Sequence, residues 1–595
     1  MDLYSYYNQR VSDFSDKEKE CLTKERKLPF LRLLTIVIGL IFFYFLFHIN
    51  LSAAILVLLI SFIIFFIIVK RDFRNSAKKK EYQLLKLLNE KEIESLNNIY
   101  SFADDGSRYK DESHPYSGDL DIFGDSSIYH YINRTTLSKS SDTLADWLLT
   151  QANNQEIEDR NKAVAELSEK IEWRQKIFVL GYSLKEENKN ALNNLIKWVR
   201  NTDKFSFTKL HILLLPILSC IMLITIGFSF FFSITPLLLL FFLIHFAIIY
   251  KANKFVKYAH IEVTNNSNLL VTYADILREI EKESYLSNKL IALKDLLKID
   301  NNFASTEVEK LSKIVNSFDI RYNVLVHFFL NSFLFWDIHQ VYKLEKWKKS
   351  NQNLEQWFHC VAEFEALSSF ANLYFNNPEW CFPKINNNHF NFDATNLGHP
   401  LINAKTRVCN NFAVDKAGKI ILLSGSNMSG KSTFLRAVGV NIILAMAGSC
   451  VCAAAFTLSP VRVLSSMRIS DSLKDNTSSF FAELKKLETI IKIVENNEKV
   501  FLLLDEILRG TNSTDRHIGS SALIKQLIRN NAVGIVATHD LSLTDMIEDY
   551  PENIENYNFN IKINNEDLYF DYLLNKGVCT SLNASLLMKK MGINI

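Results

Sequence analysis

Residues 425–433 read Gly425-Ser426-Asn427-Met428-Ser429-Gly430-Lys431-Ser432-Thr433, directly after the apolar run Ile420-Ile421-Leu422-Leu423. The pattern G-x-x-x-x-G-K-S, in the order strand, loop, helix, is typical of a phosphate-binding (Walker A) loop. Its glycines let backbone N–H groups turn toward a polyphosphate, and the following helix directs its positive end at the same anion. In such a loop Lys431 reaches the β- and γ-phosphates and the Ser432 hydroxyl binds Mg²⁺. The stretch therefore predicts a site for a nucleoside triphosphate and Mg²⁺.

Two later apolar runs also end in polar residues that suit the same site. Residues 500–504 (VFLLL) lead into Asp505 and Glu506, the pattern of a Walker B strand. Asp505 is suited to hold Mg²⁺, and Glu506 is suited to orient and deprotonate an attacking water. Residues 533–537 (VGIVA) are followed closely by His539. A histidine just beyond a strand lies on the ligand side of an open α/β sheet, so we expect His539 to sense the γ-phosphate.

Composition sets bounds on the rest of the chain. The 595 residues include 17 glycines and 9 prolines, which favours a largely helical protein. Lys and Arg number 67 against 65 Asp and Glu, so the net charge of +2 gives no global electrostatic argument for nucleic acid. The eight cysteines are scattered. Cys450 and Cys452 have no histidine beside them, so we interpret them as buried reduced thiols and predict no structural metal site.

Two long apolar runs predict membrane spans. Residues 30–69 are almost unbroken hydrocarbon, and residues 210–250 repeat the arrangement. A bilayer core needs about 20 apolar residues per helix, so each run holds two spans, with turns near 48–50 and 233–235. The alternative is a pair of very apolar core helices inside a soluble protein. The length of the runs favours four spans in two hairpins.

Charge flanking these runs predicts their orientation. Basic residues stand at the outer ends of both hairpins, whereas the turns inside the hairpins carry no Lys or Arg. Because basic residues favour the cytoplasmic side, we expect a multi-pass protein of the cell (inner) membrane with the nucleotide domain and both termini in the cytoplasm. The flanking residues are Lys24, Arg26, Lys27, Lys70, Arg71, Arg74, Lys78, Lys79, Lys80, Lys204, Lys209, Lys251, Lys254 and Lys257.

A shorter apolar run, residues 324–336, includes His327 and Asn331 and is too short to span a bilayer. We interpret it as a core helix, with a helix lying in the membrane interface as the alternative. Residues 257–300 and 307–347 show the spacing of long amphipathic helices. The predicted organisation is a polar N-terminal tail (1–28), a transmembrane hairpin (29–70), a helical segment (71–208), a second hairpin (209–251), a helical lever (252–385) and an ATPase domain (386–595).

Several of these stretches together resemble the MutS family of mismatch-repair ATPases. The loop 425–432 is similar to the family's extended form with its Asn427-Met428 pair, although Ser426 stands where proline is usual. Residues 505–515 (DEILRGTNSTD) resemble D-E-I-G-R-G-T-S-T-x-D, with Leu508 in place of a glycine, and His539 matches the family's switch histidine. Further similar segments are 120–200, 399–411, 445–453 (AMAGSCVCA) and 471–484 (DSLKDNTSSFFAEL).

The resemblance implies a fold class and a set of partners. The fold would be an α/β P-loop NTPase domain of ABC/MutS type, with a mainly parallel sheet and flanking helices, preceded by an all-α core and lever region with two transmembrane hairpins. The cofactors would be ATP and Mg²⁺. The chain would form a homodimer through its ATPase domains, with Ser478 reaching into the partner's site as a catalytic residue beside Glu506 and His539. Arg407 takes the position of the family's adenine-stacking aromatic, so its guanidinium is expected to stack instead.

Departures from the family leave three downstream functions open. Two predicted spans occupy the N-terminal region where the family has its mismatch-reading domain, and the Phe-x-Glu at 481–483 falls inside the ATPase region. The first function is DNA binding at the membrane, for which Lys343, Lys346, Lys348 and Lys349 offer a basic run; a solvated helix face is the alternative reading. The second is transport coupled to ATP, and the third is a scaffold whose ATP state controls partner assembly.

Overall fold

The computed structural model describes residues 2–579 except for 103, 185–188, 202–208, 230–231, 233–234, 264–265, 300–301, 388, 427, 468–478 and 565–566. Helix predominates in the described chain. The α-helices are α1 (Leu3–Phe47), α2 (Leu51–Leu96), α3 (Ile128–Ile132), α4 (Ser138–Leu149), α5 (Asn154–Glu169), α6 (Ile171–Tyr182), α7 (Lys189–Arg200), α8 (Lys209–Ser229), α9 (Thr235–Val263), α10 (Ser267–Lys282), α11 (Asn288–Asp295), α12 (Ala304–Phe318), α13 (Val324–Leu334), α14 (Trp336–Ser350), α15 (Leu354–Asn376), α16 (Lys431–Ala447), α17 (Ser479–Glu495), α18 (Ser513–Arg529) and α19 (Met546–Asp549).

The strands lie mostly in the C-terminal third. They are β1 (Lys298–Ile299), β2 (Asn302–Phe303), β3 (Lys384–Ile385), β4 (Phe392–Leu397), β5 (Asn410–Val414), β6 (Ile420–Gly425), β7 (Ala455–Leu458), β8 (Arg462–Ser466), β9 (Val500–Asp505), β10 (Val533–Thr538), β11 (Ile554–Asn564) and β12 (Asp567–Lys576). The described residues form two compact units. One comprises Met1–Ile132, Phe375–Met446 and Cys450–Ile595, and the other comprises Asn133–Tyr374 with Ala447–Ser449.

A six-stranded sheet is the centre of the first unit, in the order β12-β11-β6-β10-β9-β8. Strands β11, β6, β10, β9 and β8 run parallel, and β12 is antiparallel to β11. Every position of β6, β9 and β10 is buried. Strands covered on both faces read as continuous apolar runs, which is why the sequence shows these three so clearly.

Side chains of β9 alternate between two cores. Leu502 and Leu504 pack with residues of α17 and α18 on one face of the sheet. On the other face, the fully buried Phe501 ring lies 5.4 Å from the ring of Phe392 in the second sheet (order β3-β7-β4-β5). A Cβ added at Gly439 of α16 would lie 2.6 Å from Leu503, so α16 also packs closely on this face. The result is a sheet with helices on both sides, typical of α/β domains.

The same unit begins with a long helical hairpin formed by α1 and α2. The predicted polar tail 1–28 is instead continuous with the first apolar stretch, since α1 runs from Leu3 to Phe47 through Pro29. Tyr7, Phe14 and Cys21 are buried at intervals of seven residues, the repeat that keeps one helix face against a neighbouring helix. The Asn75 amide of α2 donates to the Cys21 carbonyl (2.9 Å). A heptad-like contact, rather than a free tail, therefore precedes the apolar part.

In the apolar half of this hairpin the two helices pack closely against each other, while their outer surfaces are exposed. A Cβ added at Gly39 would lie 2.5 Å from the Ser61 hydroxyl oxygen, so α1 and α2 approach each other closely here. Small residues at such contacts are characteristic of helices that pack in lipid. Arg32 and Asp72 pair at 3.1 Å near one end of the apolar stretch.

The described residues of the second unit are helical apart from β1, β2 and the connecting loops. Its core includes Tyr273 and Phe358, whose ring centroids lie 4.2 Å apart. The buried Glu365 carboxylate accepts hydrogen bonds from the Thr136 hydroxyl (2.5 Å) and the Leu137 N–H (3.3 Å), next to the start of α4. The predicted long amphipathic helices over 257–300 and 307–347 are interrupted: α9, α10 and α11 share the first range, and α12, α13 and α14 share the second.

Four helices of the described chain are long and apolar enough to cross a membrane by length and composition: Leu3–Phe47, Leu51–Leu96, Ile212–Ser229 and Pro236–Val263. At most 22% of the residues in the apolar window of any of them are buried. The interpretation of residues 324–336 as a core helix is wrong, because α13 contains no buried residue.

Candidate nucleotide-binding site

The Walker A loop leaves the buried strand β6 and enters α16 at Lys431. Two of its residues have left-handed backbone angles, Met428 (φ 67°) and Gly430 (φ 104°). Glycine is suited to the second position, since a Cβ there would be strained and would lie 3.1 Å from the Tyr572 ring. The predicted residue Asn427 lies outside the described residues.

Lys431 is buried inside this loop. Its Nζ donates to the carbonyl oxygens of Gly425 (2.8 Å) and Ser426 (3.1 Å) and lies 3.4 Å from His539 Nε2. Burial lowers the pKa of Lys431, while the carboxylates of Glu506 and Asp505 oppose that shift. A buried ammonium held mainly by loop carbonyls is a favourable place for an additional anion.

The two predicted magnesium ligands are in contact. The Ser432 hydroxyl donates to Asp505 Oδ2 at 2.5 Å. Asp505 Oδ1 and the Ser429 hydroxyl are buried and have no hydrogen-bond partner within the described part of the chain. Buried polar atoms are normally satisfied, so these atoms mark a place where a further group binds. Hydroxyl and carboxylate oxygens are ligands that Mg²⁺ prefers, and the residues therefore fit this ion.

The predicted base and sensor are paired with each other. His539 Nε2 lies 2.6 Å from Glu506 Oε1, and the Arg509 guanidinium lies 2.6 Å from Glu506 Oε2. Burial would raise the pKa of Glu506, but the hydrogen bond from His539 and the positive charges of His539, Arg509 and Lys431 lower that pKa below its usual value. Glu506 also has a left-handed backbone (φ 49°), a strained conformation that is common at functional sites.

The strand order explains this convergence. Strand β10 lies between β6 and β9, and its partners are parallel to it on both sides. His539 follows β10, while the Walker A loop and Glu506 follow its two neighbours. The ends of three adjacent strands therefore bring Lys431, Glu506 and His539 to one edge of the sheet, the usual position of ligands in parallel α/β sheets.

A cavity of about 470 Å³ opens beside the loop. Tyr572 of β12 has a left-handed backbone (φ 55°), and its ring covers Gly430 and lines the cavity. This role was not predicted from the sequence. Tyr572 is held there through its carbonyl, which accepts from the Asn410 amide at 3.1 Å. The predicted loop residues on the wall are Ser426, Met428, Ser429, Gly430, Lys431, Ser432 and Thr433.

Arg407 is not placed for the stacking role predicted for it. Its guanidinium donates to the Ile402 carbonyl (2.7 Å) and the Cys452 sulfur (3.1 Å) and lies over the Trp380 ring at 5.5 Å. Thr406 and Val408 line the cavity, whereas Arg407 does not. Arg407 is therefore occupied by contacts within its own unit, whereas the aromatic side chains of Phe434, Phe559 and Tyr572 line the cavity beside the loop.

Comparison with known proteins agrees with this geometry. The family model MutS domain V matches residues 421–589, the part of the chain that contains Lys431, Asp505, Glu506 and His539. Residues 421–589 are therefore similar to MutS domain V. The chain is similar to MutS protein homolog 4 of Homo sapiens, with 32% identity over 200 residues that make up 32% of this chain and 21% of that protein.

Bacterial MutS proteins show the same partial match. The DNA mismatch repair protein MutS of Thermotoga petrophila is 32% identical over 184 residues, covering 30% of this chain and 23% of its own length. That of Flavobacterium psychrophilum is 31% identical over 226 residues, covering 36% and 26%. The chain thus spans about a quarter of the length of these relatives.

One departure inside MutS domain V has a structural counterpart. Leu508 replaces the glycine of the family pattern and still adopts a left-handed backbone (φ 59°). Its N–H donates to the buried Glu483 carboxylate of α17 at 2.5 Å. Burial raises the pKa of Glu483, while the backbone N–H groups of Leu508 and Arg509 oppose that shift. Glu483 thereby connects α17 to the turn that carries Glu506. The predicted trans residue Ser478 lies outside the described residues.

Proposed function

We propose that this chain is a membrane-anchored ATPase of the MutS family that binds and hydrolyses ATP at a homodimer interface. The observation that carries the proposal is the contact between Ser432 and Asp505, 2.5 Å apart, beside the buried Lys431. A hydroxyl, a carboxylate and an ammonium at one sheet edge are the groups that phosphoryl transfer needs from a protein.

Each residue has a distinct role in the proposed reaction. The loop N–H groups and Lys431 Nζ bind the phosphates and hold them against the start of α16. Glu506 takes the proton from the attacking water once one of its oxygens is released from His539 or Arg509. His539 lies within reach of both Lys431 and Glu506, so it is placed to respond to the γ-phosphate. Mg²⁺, held by Ser432 and Asp505, would neutralise charge on the phosphate oxygens.

Removal of the metal is the first test. We expect the purified full-length protein in detergent to release phosphate from ATP, and EDTA to reduce the rate to background. Excess Mg²⁺ should restore the rate, since the Ser432–Asp505 pair is suited to a hard oxygen-preferring cation. Phosphate release would be measured with and without the chelator. Hydrolysis that persists in EDTA would contradict the proposed site.

Membrane anchoring is proposed from the exposed apolar helices and their flanking charges. The apolar windows of α1, α2, α8 and α9 are mostly unburied, which is costly in water and favourable in lipid. Lysines and arginines follow or precede each hairpin, and the turn at Asn50 has none beside it. By the positive-inside tendency, the ATPase domain and both termini would lie on the cytoplasmic side of the cell membrane.

Dimerisation would complete the site. In the proposed assembly Ser478 of one subunit approaches the phosphates bound by the other. ATP binding would favour the closed dimer by its higher affinity for that state, and hydrolysis would loosen it. Glu483, which links α17 to the turn after Glu506, offers a route between the two sites of the dimer.

DNA is the macromolecular ligand favoured by the names of the relatives, several of which are DNA mismatch repair proteins. The second unit adds an observation: Lys343, Lys346 and Lys349 are exposed at intervals of three residues along α14. Lys348, also predicted to be part of this run, is buried; it lies 3.6 Å from Glu345 and over the Trp198 ring at 5.2 Å. Three lysines rather than four therefore face outward.

A salt-dependent duplex-binding assay tests this proposal. We expect the detergent-solubilised protein to bind duplex DNA, and the triple variant Lys343→Ala, Lys346→Ala, Lys349→Ala to bind less tightly. For this variant, the slope of log K against log salt concentration should be smaller in magnitude by up to about 3, since each phosphate contact contributes roughly 0.9. The control Lys298→Ala, Lys310→Ala, Lys313→Ala removes the same charge from exposed lysines that each pair with a carboxylate. Absence of duplex binding would favour the alternative, an ATP-controlled membrane scaffold or transport-coupled ATPase.

A further inference from the structure

Helix α13 of the second unit has its polar and apolar faces reversed relative to a helix of a water-soluble protein. Its large apolar residues Val324, Leu325, Phe328 and Phe329 are 58% to 75% exposed. Soluble helices bury their apolar face and expose their polar one. An apolar patch of this kind marks a surface that contacts something other than water.

The polar side chains of α13 turn inward. His327 Nε2 lies 2.9 Å from Asp337 Oδ2, and the Asn331 side-chain oxygen accepts from the Asp337 N–H at 3.3 Å. Asp337 is buried and also faces Arg321, whose Nε lies 3.7 Å from Oδ2. The side chains of His327 and Asn331 thus find their partners within the unit, and the outward face carries large hydrocarbon side chains.

The neighbours of α13 identify the environment of that face. The helix packs against α8 and α9, the second pair of helices with exposed apolar surface. Phe335, at its C-terminal end, is fully buried and stacks on the buried His245 of α9, with ring centroids 4.4 Å apart. His245 lies six residues before Lys251, which corresponds to about 9 Å along a helix. The end of α13 is therefore level with the apolar part of α9.

The length of α13 fits one leaflet. Its 11 residues extend about 16 Å, close to half of the roughly 30 Å hydrocarbon core. We propose that α13 is embedded in the bilayer beside α8 and α9, in the leaflet nearer Lys251, with Phe328 and Phe329 in contact with lipid chains. This inference rests on the proposed membrane anchoring and adds a fifth membrane segment that does not cross.

Photo-crosslinking in the full-length protein tests the inference. Phe328 would be replaced by p-benzoylphenylalanine, and the protein would be reconstituted into vesicles of phosphatidylcholine and phosphatidylglycerol and illuminated. We expect lipid adducts at position 328, detected by mass spectrometry of the peptide. Because Phe328 is exposed, the replacement should not disturb folding, and the same replacement at Phe329 provides an independent second site.

Two matched positions of the same unit make the result decisive. Phe246 of α9 is 68% exposed and should give lipid adducts if α9 spans the bilayer, whereas Leu286, between α10 and α11, is 88% exposed and should give none. Adducts at 246 without adducts at 328 and 329 would overturn the embedding of α13 and leave anchoring intact. A crosslinked dimer through 328 would assign the face to a second copy instead. No lipid adduct even at 246 would refute anchoring and the inference together.

Discussion

The variant Glu506→Gln should hydrolyse ATP about 10² to 10⁴ times more slowly than the natural protein, the range that a general base contributes. Glutamine keeps the shape of the side chain but cannot take a proton from water. Burial opposes ionisation of Glu506, but His539 and Arg509 lower the pKa of its carboxyl below the usual value, which favours the carboxylate form that a base requires. Nucleotide binding should remain, because Lys431 and the loop are unaltered.

The same variant should accumulate as a nucleotide-bound dimer. If hydrolysis loosens the dimer, blocking it leaves the ATP-favoured closed state populated. Phosphate release gives the rate, and light scattering coupled to gel filtration gives the mass in ATP. Glu498→Gln is a matched control, because Glu498 is a partly exposed residue of the same domain that pairs with Arg462 at 2.9 Å. Unchanged turnover in Glu506→Gln would remove Glu506 from the proposed mechanism.

The variant Lys431→Ala should lose most of its affinity for ATP. Truncating one partner of a buried, hydrogen-bonded charge pair costs about 2–5 kcal/mol, or roughly 30-fold to several-thousand-fold in Kd. In the structure, Lys431 is buried and its ammonium already contacts the carbonyl oxygens of Gly425 and Ser426. Equilibrium binding of a fluorescent ATP analogue to the detergent-solubilised protein measures the change.

Loss of Lys431 also removes one donor from each of the Gly425 and Ser426 carbonyl groups, so folding must be followed separately. Thermal unfolding without nucleotide reports that contribution. Lys416→Ala serves as the control, since Lys416 is an exposed lysine of the same domain paired with Glu552 at 3.1 Å. Equal ATP affinity in Lys431→Ala and Lys416→Ala would show that the loop does not bind the phosphates.

The central strands and the residues at their ends were predictable from sequence. Buried parallel strands appear as short apolar runs, and the motifs place Lys431, Asp505 and His539 directly at or after them. Three such strands that prove to be neighbours bring those residues together, as described for β6, β9 and β10. The apolar pattern of each run and the polar residues that end it carry this information locally, so the rest of the fold need not be known.

Other parts of the site depend on pairing that sequence spacing does not reveal. Tyr572 reaches the loop because β12 is antiparallel to β11 at the edge of the sheet, far along the chain from Gly430. Arg509 reaches Glu506 because of the left-handed turn at Glu506 and Leu508, and a leucine gives no indication of such a turn. Resemblance to the family assigns Arg407 to the adenine-stacking position, but its guanidinium lies over the Trp380 ring.

The helical regions show which sequence signals were overlooked. The buried residues Tyr7, Phe14 and Cys21 form a seven-residue repeat that could have extended α1 into the supposed tail. Residues 324–336 combine high apolarity with two polar residues, and composition alone does not tell which side faces inward. The hydrogen bonds of His327 and Asn331 to Asp337 decide this question.

The unbroken course of α1 and α2 has a consequence for how this sequence tolerates insertions and deletions. At the base of the hairpin the Tyr7 hydroxyl donates to Asn376, whose amide donates in turn to Glu92, so both helices are fixed to the body of their unit. Each residue added to a helix advances it by about 1.5 Å and rotates everything beyond by about 100°. A single residue inserted into one helix would thus rotate its apolar half relative to the other helix. Insertions or deletions in the α1–α2 hairpin should therefore come as seven residues in both helices together, whereas a flexible tether would not be limited in this way.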